Sequence, residues 1–501
     1  MLRHGIADLG SNTARLIVYT YEPGKWFRIT DGIRETVRLG EGLGRNGELR
    51  PEAVARARAA IELFIDYARA TDLDDLEVLG TSALRDAANR DSILSQLGTA
   101  GHPMRVIDGE TEAALGVLAV ANGFGFPDAW VLDVGGGSGQ LSRMRDRHYA
   151  GGRAYPIGSV RLSEAFLRSD PPKKKEVGRL EQFVAEELRE VCAEWDGSLP
   201  LVGIGGTVRN LARMAQRRNR YPLAMLHGYR LMATDLEEIT DELLRKPLAK
   251  RARISGLNPE RADVIVAGAL VFRWLLRRTG IESIRISGHG VREGAFYRTF
   301  LPAPHLLDDV RSFSVANRAR QHPQPVGHIQ QVRKLAGQLF DGLLPLHGLT
   351  AMDRDLLDHA AVLHDAGTDL DYYKHHRHGE YILTSSPLNG FSHRDLVLLA
   401  MLVRYHRKGN PRFGSYSRLM EKGDLKRLRQ LSACLRLAES LERSRAGRVT
   451  AVRTRTASRR VILELVSSEE PVVELWEARK HAPLFRTAFG RGLELVAVGP
   501  D

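Results

Sequence analysis

Cysteine is nearly absent from this chain: Cys192 and Cys434 are the only two in 501 residues. Their wide separation excludes a disulfide framework and any cysteine-based zinc spacing. Aromatic residues make up only 7%, so extended base-stacking surfaces are not expected and nucleic acid is set aside as a partner. The longest apolar stretches, residues 113–126 and 264–276, are too short or too interrupted to span a bilayer. Met1-Leu2-Arg3-His4 runs straight into a strand-like segment instead of a secretory leader. No Walker-type phosphate loop occurs. The expected address is the cytoplasm, with no membrane association.

What the chain has instead is positive charge. Lys and Arg total 73 against 61 Asp and Glu, a formal net charge of +12. Such a balance favours an anionic partner through long-range attraction, or a solvated basic surface. Basic residues collect at Lys173, Lys174 and Lys175, where Pro171-Pro172 suggest a loop, and again at Arg404, Arg407 and Lys408. These runs suit guidance of a long polyanion, whose binding would weaken steeply with salt.

Along the first 300 residues, strand-like and helical segments alternate, which argues for layered α/β architecture. Residues 51–70 carry helical periodicity with Pro51 at an entry position. Residues 76–80, 104–108, 129–134, 201–204 and 283–287 read as strands, and 110–121 as a helix. The Pro-rich stretch 301–305 marks a boundary. Beyond it the texture is helical, over 328–344, 353–363, 392–405 and 424–444, and three of these helices open on Asp or Ser, residues that cap free N–H groups. Twelve of the seventeen histidines lie past Pro304. The tail, 450–498, alternates like strands. The expected domains are two α/β lobes, 1–125 and 126–302, a helical domain, 305–446, and a small α+β segment, 447–501.

One internal echo carries chemistry. Asp8-Leu9-Gly10-Ser11 and Asp133-Val134-Gly135-Gly136-Gly137-Ser138 are both an aspartate, an apolar residue and a glycine turn between strands. Glycine turns let backbone N–H groups converge on one spot, a nest suited to phosphate oxygens. An aspartate beside bare phosphate requires a cation between them, so Asp8 and Asp133 imply Mg²⁺. A third glycine turn, Gly205-Gly206-Thr207, follows another strand.

The order of these turns resembles the actin, sugar kinase and heat-shock ATPase superfamily. Gly80-Thr81-Ser82-Ala83-Leu84-Arg85, Val106-Ile107-Asp108-Gly109-Glu110-Thr111-Glu112-Ala113 and residues 288–294 narrow the resemblance to the exopolyphosphatase/guanosine pentaphosphate phosphohydrolase family. His364-Asp365 and Arg404-Tyr405-His406-Arg407-Lys408 resemble the helical domain of its long members, which is similar to histidine-aspartate phosphohydrolases. The resemblance implies a two-lobed actin-like α/β core followed by an all-α domain and a small β-rich segment. It also implies a cytoplasmic homodimer that hydrolyses the terminal phosphate of inorganic polyphosphate or of guanosine pentaphosphate.

By the same resemblance Glu112 is the carboxylate that activates water. Glu110, the rival two residues earlier, suits a helix N-terminus. Asn12, Arg85, Gly136, Gly137 and Ser138 match phosphate-binding positions. One departure stands out: Gln140 occupies a position where the family usually has Glu, and a neutral amide adds no charge to a metal. In the helical domain His328, His364 and Asp365 match metal-ligand positions, with Glu439 where an Asp would be usual. Long members often carry this domain in degenerate form, so a packing and substrate-guiding role is the favoured expectation there. His375-His376-Arg377-His378 reads as a polar, anion-facing loop and not a metal site. A kinase of the superfamily, a non-enzymatic polyanion sensor marked by Gln140, and a nucleotidase working from the helical domain remain alternatives.

Overall fold

The computed structural model describes residues 1–43, 47–97 and 104–500. They form two compact units, Met1–Val310 and Arg311–Asp501. In the first, strands β1 (Leu2–Leu9), β2 (Thr13–Glu22), β3 (Trp26–Thr36), β4 (Asp75–Gly80) and β5 (Met104–Val106) make one sheet in the order β3-β2-β1-β4-β5. Strands β6 (Ala129–Val134), β7 (Gly139–Arg145), β8 (His148–Tyr155), β9 (Leu201–Ile204), β10 (Arg230–Met232) and β11 (Ser283–Ile286) make a second, in the order β10-β11-β9-β6-β7-β8.

The two sheets repeat one plan. Each starts with an antiparallel meander, β1-β2-β3 or β6-β7-β8. Each then grows past its first strand by parallel neighbours, β4 and β5 or β9 and β11. The doubled Asp-Gly turn is thus the sequence trace of a doubled lobe, as in the actin-like core. The central strands are buried on both faces, which parallel neighbours require and which their apolar runs supply.

Helix α1 (Pro51–Ala70) buries Ala53, Val54, Ala57, Ala60, Ile61, Phe64, Ile65 and Ala68, the stripe of a helix with one face on a core. Helix α2 (Gly109–Ala121) packs Val117, Val120 and Ala121 with Val131, Met144 and Val202 of the second sheet. Helices α3 (Gly205–Arg218) and α4 (Ile265–Thr279) share the other core of that lobe. Helix α5 (Val291–Phe300) returns to the first sheet. There Phe296 stacks on Tyr19 with ring centroids 3.8 Å apart, and Phe27 sits edge-on to both Phe296 and Phe300. Aromatic packing of this kind fixes orientation as well as burying area. It holds α5 so that its first turn faces the gap between the sheets. α2 and α5 also touch closely, because a Cβ on Gly294 would lie 2.0 Å from the Leu115 carbonyl oxygen.

In the second unit, α6 (Val326–Gly342), α7 (Ala351–Leu363), α8 (His375–Ser385), α9 (His393–Tyr405) and α10 (Asp424–Ser440) form a helical bundle. A sheet of β12 (Ala451–Thr456), β13 (Arg460–Val466) and β14 (Gly492–Val498) follows, with α11 (Val472–Arg479) and α12 (Ala482–Phe489) between its last two strands. The capping differs from the sequence reading in two places. At α10 the cap is Gly423, not Asp424. Thr350, not Asp353, is the cap of α7, and the buried Asp353 carboxylate accepts from the Thr350 N–H at 2.8 Å. Ser392 caps α9 as expected, accepting from the Asp395 N–H at 3.1 Å.

Gly205 is the backbone position on which the cleft turns. It has φ +85°, and a Cβ there would lie 2.0 Å from Asp133 Oδ1. Gly205→Ala is expected to destabilise the protein by more than ~1 kcal/mol, read as a fall in thermal midpoint. An unchanged midpoint would show that the turn relaxes freely.

Candidate active site in the α/β cleft

The two turns meet at one end of a cavity of about 410 Å³ between the sheets of the first unit. Their hydrogen bonding matches. Gly10 N–H donates to the Thr13 carbonyl and Gly135 N–H to the Ser138 carbonyl, each at 3.0 Å. Asp8 sits opposite Arg15 across its strand pair, and Asp133 opposite Gln140. The carbonyls of the turns are occupied from outside. Ser11 O accepts from Gly40 N, Asn12 O from Val37 N and Arg38 N, Gly135 O from Ser159 N, and Gly136 O from Val160 N. That pins the peptide planes with their N–H edges facing the other way. The Asn12 side-chain nitrogen is buried without a partner among the described residues. Buried donors of this sort call for an acceptor.

Asp8, Asn12, Glu112, Asp133, Gly136 and Ser138 all line this cavity. Gly137 sits beneath it, so close to Ser11 and Ser82 that a Cβ would lie within 2.9 Å of their hydroxyl oxygens. Arg85 is placed differently from the sequence expectation. It faces a protein carboxylate and carbonyl in place of the open cavity, donating to Glu112 Oε2 and to the Ile107 carbonyl, both at 3.0 Å. Gln140 completes the grip on Glu112. Its amide nitrogen donates to Glu112 Oε2 at 3.1 Å and to Ser138 Oγ at 2.8 Å. Glu110, by contrast, is exposed.

Charge in the cavity is sharply divided. Burial pushes the Glu112 carboxyl up to about 7; Arg85 pulls against that, while Asp133 and Asp8 add to it. Burial likewise raises Asp133 to about 6, opposed by Arg209 and reinforced by Asp8. Asp8 is raised by burial too, against Arg292, whose Nη1 donates to Asp8 Oδ2 at 3.2 Å. Asp8 and Asp133 both raise Glu112, and Asp8 raises Asp133, so the set is short of positive charge at its centre. Oxygen donors of this type fit a hard divalent cation. Around them stand arginines that sequence reasoning did not single out: Arg15, Arg34, Arg209, Arg261 and Arg292. Only Arg292 lay inside a stretch that drew attention; the others sit alone in strands, helices and loops, where nothing local marks them.

The remaining predicted residues lie elsewhere. Lys173, Lys174 and Lys175 are exposed, but they cap and open the helix Lys174–Glu187 in place of the expected loop, and they are not among the residues lining the cavity. In the second unit Arg404 is ion-paired with Glu380. Arg407 lies 5.6 Å over the Tyr372 ring and Lys408 is exposed. His328, His364, Asp365 and Glu439 converge in the helical bundle, all buried. His375 opens helix α8, so residues 375–378 are helical and not a loop, and its ring joins that cluster together with His406.

The sequence matches the Ppx/GppA phosphatase family over residues 17–302 and domain III of that family over residues 310–480. The chain belongs to the Ppx/GppA phosphatase family. Among curated relatives, Exopolyphosphatase 2 of Mycobacterium tuberculosis is 32% identical over 317 residues, covering 59% of this chain and 97% of the relative. Among solved structures, the Aquifex aeolicus family member is 28% identical with a TM-score of 0.51, covering 59% of this chain and 96% of its own. An exopolyphosphatase from Cytophaga hutchinsonii, at 23% identity and a TM-score of 0.56, shares the fold over 60% of this chain. Membership of the family carries the activity class of a phosphatase, and the part of this chain outside those alignments has no counterpart in these relatives. Among the described residues no helix is long and apolar enough to cross a membrane.

The carboxylate cluster makes a direct prediction. In metal-free protein, the Glu112 carboxyl resonance is expected to titrate with a midpoint of about 7. Asp8→Asn or Asp133→Asn should each lower it, because each removes a neighbouring negative charge. A midpoint in the ordinary carboxylate range would mean that the three side chains do not share one field.

Proposed function

We propose that the cleft is an exopolyphosphatase site, hydrolysing the terminal phosphate of inorganic polyphosphate with Glu112 directing the attacking water. The observation that carries this is the position of Glu112, fixed by Arg85 and Gln140 beside two glycine turns, with donors on the far side of the cavity. On this reading the terminal phosphate accepts hydrogen bonds from the turns, from Asn12 and from Ser138. The following phosphates lie among Arg209, Arg261 and Arg292. Asp8 and Asp133 are the residues that would hold Mg²⁺, which supplies positive charge to the phosphate oxygens when bound.

The chain's own groups then account for the reaction. Glu112 orients water and accepts one of its protons as the water oxygen bonds to phosphorus. The bridging P–O bond breaks, and the shortened chain leaves with the electron pair, stabilised by the arginines. Arg85 and Gln140 act as positioning residues by holding the carboxylate, and most of the rate comes from placement and charge. Gln140 is compatible with catalysis here because its amide donates to Glu112, where a glutamate would repel it.

The choice of polyphosphate over guanosine pentaphosphate is supported by the lining. Among the described residues, the cavity presents no aromatic ring for a base. The relative named Exopolyphosphatase 2 points the same way.

Phosphate release from long-chain polyphosphate with Mg²⁺ tests the assignment. Glu112→Gln is expected to lose at least about a hundredfold in rate. Polyphosphate bound without release by the wild type would favour the sensor reading instead. A preference for guanosine pentaphosphate in direct competition would move the substrate, not the chemistry. The rate should also depend on pH through Glu112. A base acts only when ionised, so its competent fraction grows with pH, and bound Mg²⁺, a positive charge nearby, should place that rise below the metal-free midpoint of about 7. Gln140→Glu adds a negative neighbour and should move that rise to higher pH.

A further inference from the structure

The helical unit contains a second concentration of chemistry that the cleft does not use. Four imidazoles and two carboxylates converge there: His328 from α6, His364 and Asp365 just after α7, His375 from the start of α8, His406 just after α9, and Glu439 from α10. All six are less than 9% exposed.

Their spacing separates them into two sets around one carboxylate. His328 Nε2, His364 Nε2 and Glu439 Oε2 are mutually 3.2 Å apart, and the two imidazoles lie 3.9 and 3.7 Å from Asp365 Oδ2. His375 Nε2 and His406 Nε2 are 3.2 Å apart, and 3.3 and 3.6 Å from the other oxygen, Asp365 Oδ1. Donors about 2.1 Å from a shared cation sit roughly 3.0–3.4 Å from one another in octahedral or tetrahedral arrangement. The imidazoles and Glu439 have that spacing within each set, and Asp365, 3.3–3.9 Å from the four rings, turns one oxygen toward each set.

Hydrogen bonding fixes which ring atoms face inward. The Nδ1 atoms of His364, His375 and His406 donate to the carbonyls of Ala361, Tyr372 and Val403 at 2.8, 2.8 and 2.6 Å. A carbonyl only accepts, so each of these Nδ1 atoms carries the ring hydrogen, and each Nε2 presents a lone pair whenever its ring is neutral. In that form His375 and His406 aim two lone pairs at each other across 3.2 Å, which repels unless a proton or a metal cation stands between them. A backbone-held Nδ1–H is also what orients a metal-binding imidazole. Glu439 Oε2 is buried and faces the Nε2 atoms of His328 and His364 at 3.2 Å each. The main-chain carbonyl of Asp365 accepts from Gln324 Nε2 at 2.7 Å, fixing its backbone. Arg445 reaches Asp365 Oδ2 at 2.8 Å while 46% of its side chain stays exposed, so the cluster communicates with solvent.

We propose that the helical unit binds two divalent transition-metal cations, one among His328, His364 and Glu439 and one between His375 and His406, bridged by Asp365. This goes beyond a single set of four ligands. The nitrogen-rich donors select first-row transition metals such as Mn²⁺, Fe²⁺, Co²⁺ or Zn²⁺ over Mg²⁺, which prefers oxygen and retains its waters. The proposal is independent of the exopolyphosphatase reading.

The test uses the full chain carrying Asp8→Asn and Asp133→Asn, so that the cleft holds no cation. Protein stripped with a chelator is reloaded with Mn²⁺, desalted, and assayed for metal per chain by atomic emission and for spin coupling by electron paramagnetic resonance. The expected result is two Mn²⁺ per chain with an exchange-broadened spectrum. His406→Gln should retain one and show the hyperfine-split signal of an isolated ion; His364→Gln should do the same from the other side. Circular dichroism of each variant controls for folding. Retention of no Mn²⁺, Co²⁺ or Zn²⁺ by the parent would overturn the proposal. So would retention of a single ion whose number and spectrum are unmoved by His406→Gln.

Discussion

The joint burial of Asp8, Glu112 and Asp133 is the constraint on which the first unit depends. Two strands and a helix deliver three carboxyls to one buried place, and burial alone raises each of them. A fold tolerates that only if positive charge is arranged around the cluster. Arg292 does this by contact with Asp8, while Arg209 is anchored to the carbonyls of Ser287 and His289 at 2.9 and 2.8 Å. An anchored guanidinium does not collapse onto the carboxylates and cancel them. Part of the basic wall therefore stays apart from the acidic centre, which is what a polyanion carrying its own cation would need.

Arg85 and Gln140 refine the same balance. Arg85 holds Glu112 by an ion pair in which the side chains are only 19% and 12% exposed, where water screens poorly. Gln140 adds a neutral donor from the neighbouring strand pair. The departure from the family's usual Glu thus changes the field at Glu112, replacing a like charge by a hydrogen bond. Read as an isolated substitution it suggests a damaged site; read with its partners it is one half of a clamp.

How much of this the sequence discloses depends on how local the cause is. The Asp-Gly turns, the strand Ala129–Val134 and the helix Pro51–Ala70 are set by neighbouring residues, and their bounds are readable from periodicity and turn chemistry alone. The strand expected at 104–108 ends at Val106, because Asp108 leaves it to cap α2 through the Thr111 N–H at 2.7 Å. Arg15, Arg209 and Arg261 give no such signal, since only the tertiary fold brings them to the cavity. Arg85 carried a motif, yet its partner is a side chain 27 positions on. His375 and His406 are the extreme case: neither follows a ligand pattern in sequence, and both depend on five helices closing around Asp365.

The two clusters also differ in a way that governs which cations each can take. The cleft offers carboxylate oxygens beside backbone N–H groups, a setting for a hard ion that keeps several waters and reaches its partners through phosphate. The helical unit offers imidazole nitrogens held rigid by main-chain carbonyls, a setting that suits a first-row transition metal. Oxygen donors on turns adjust to a hydrated ion, whereas nitrogen donors locked by Nδ1–H bonds impose their own spacing. On the two proposals together, one chain would sort cations between its two units through the different affinities of oxygen and nitrogen donors for hard and borderline ions.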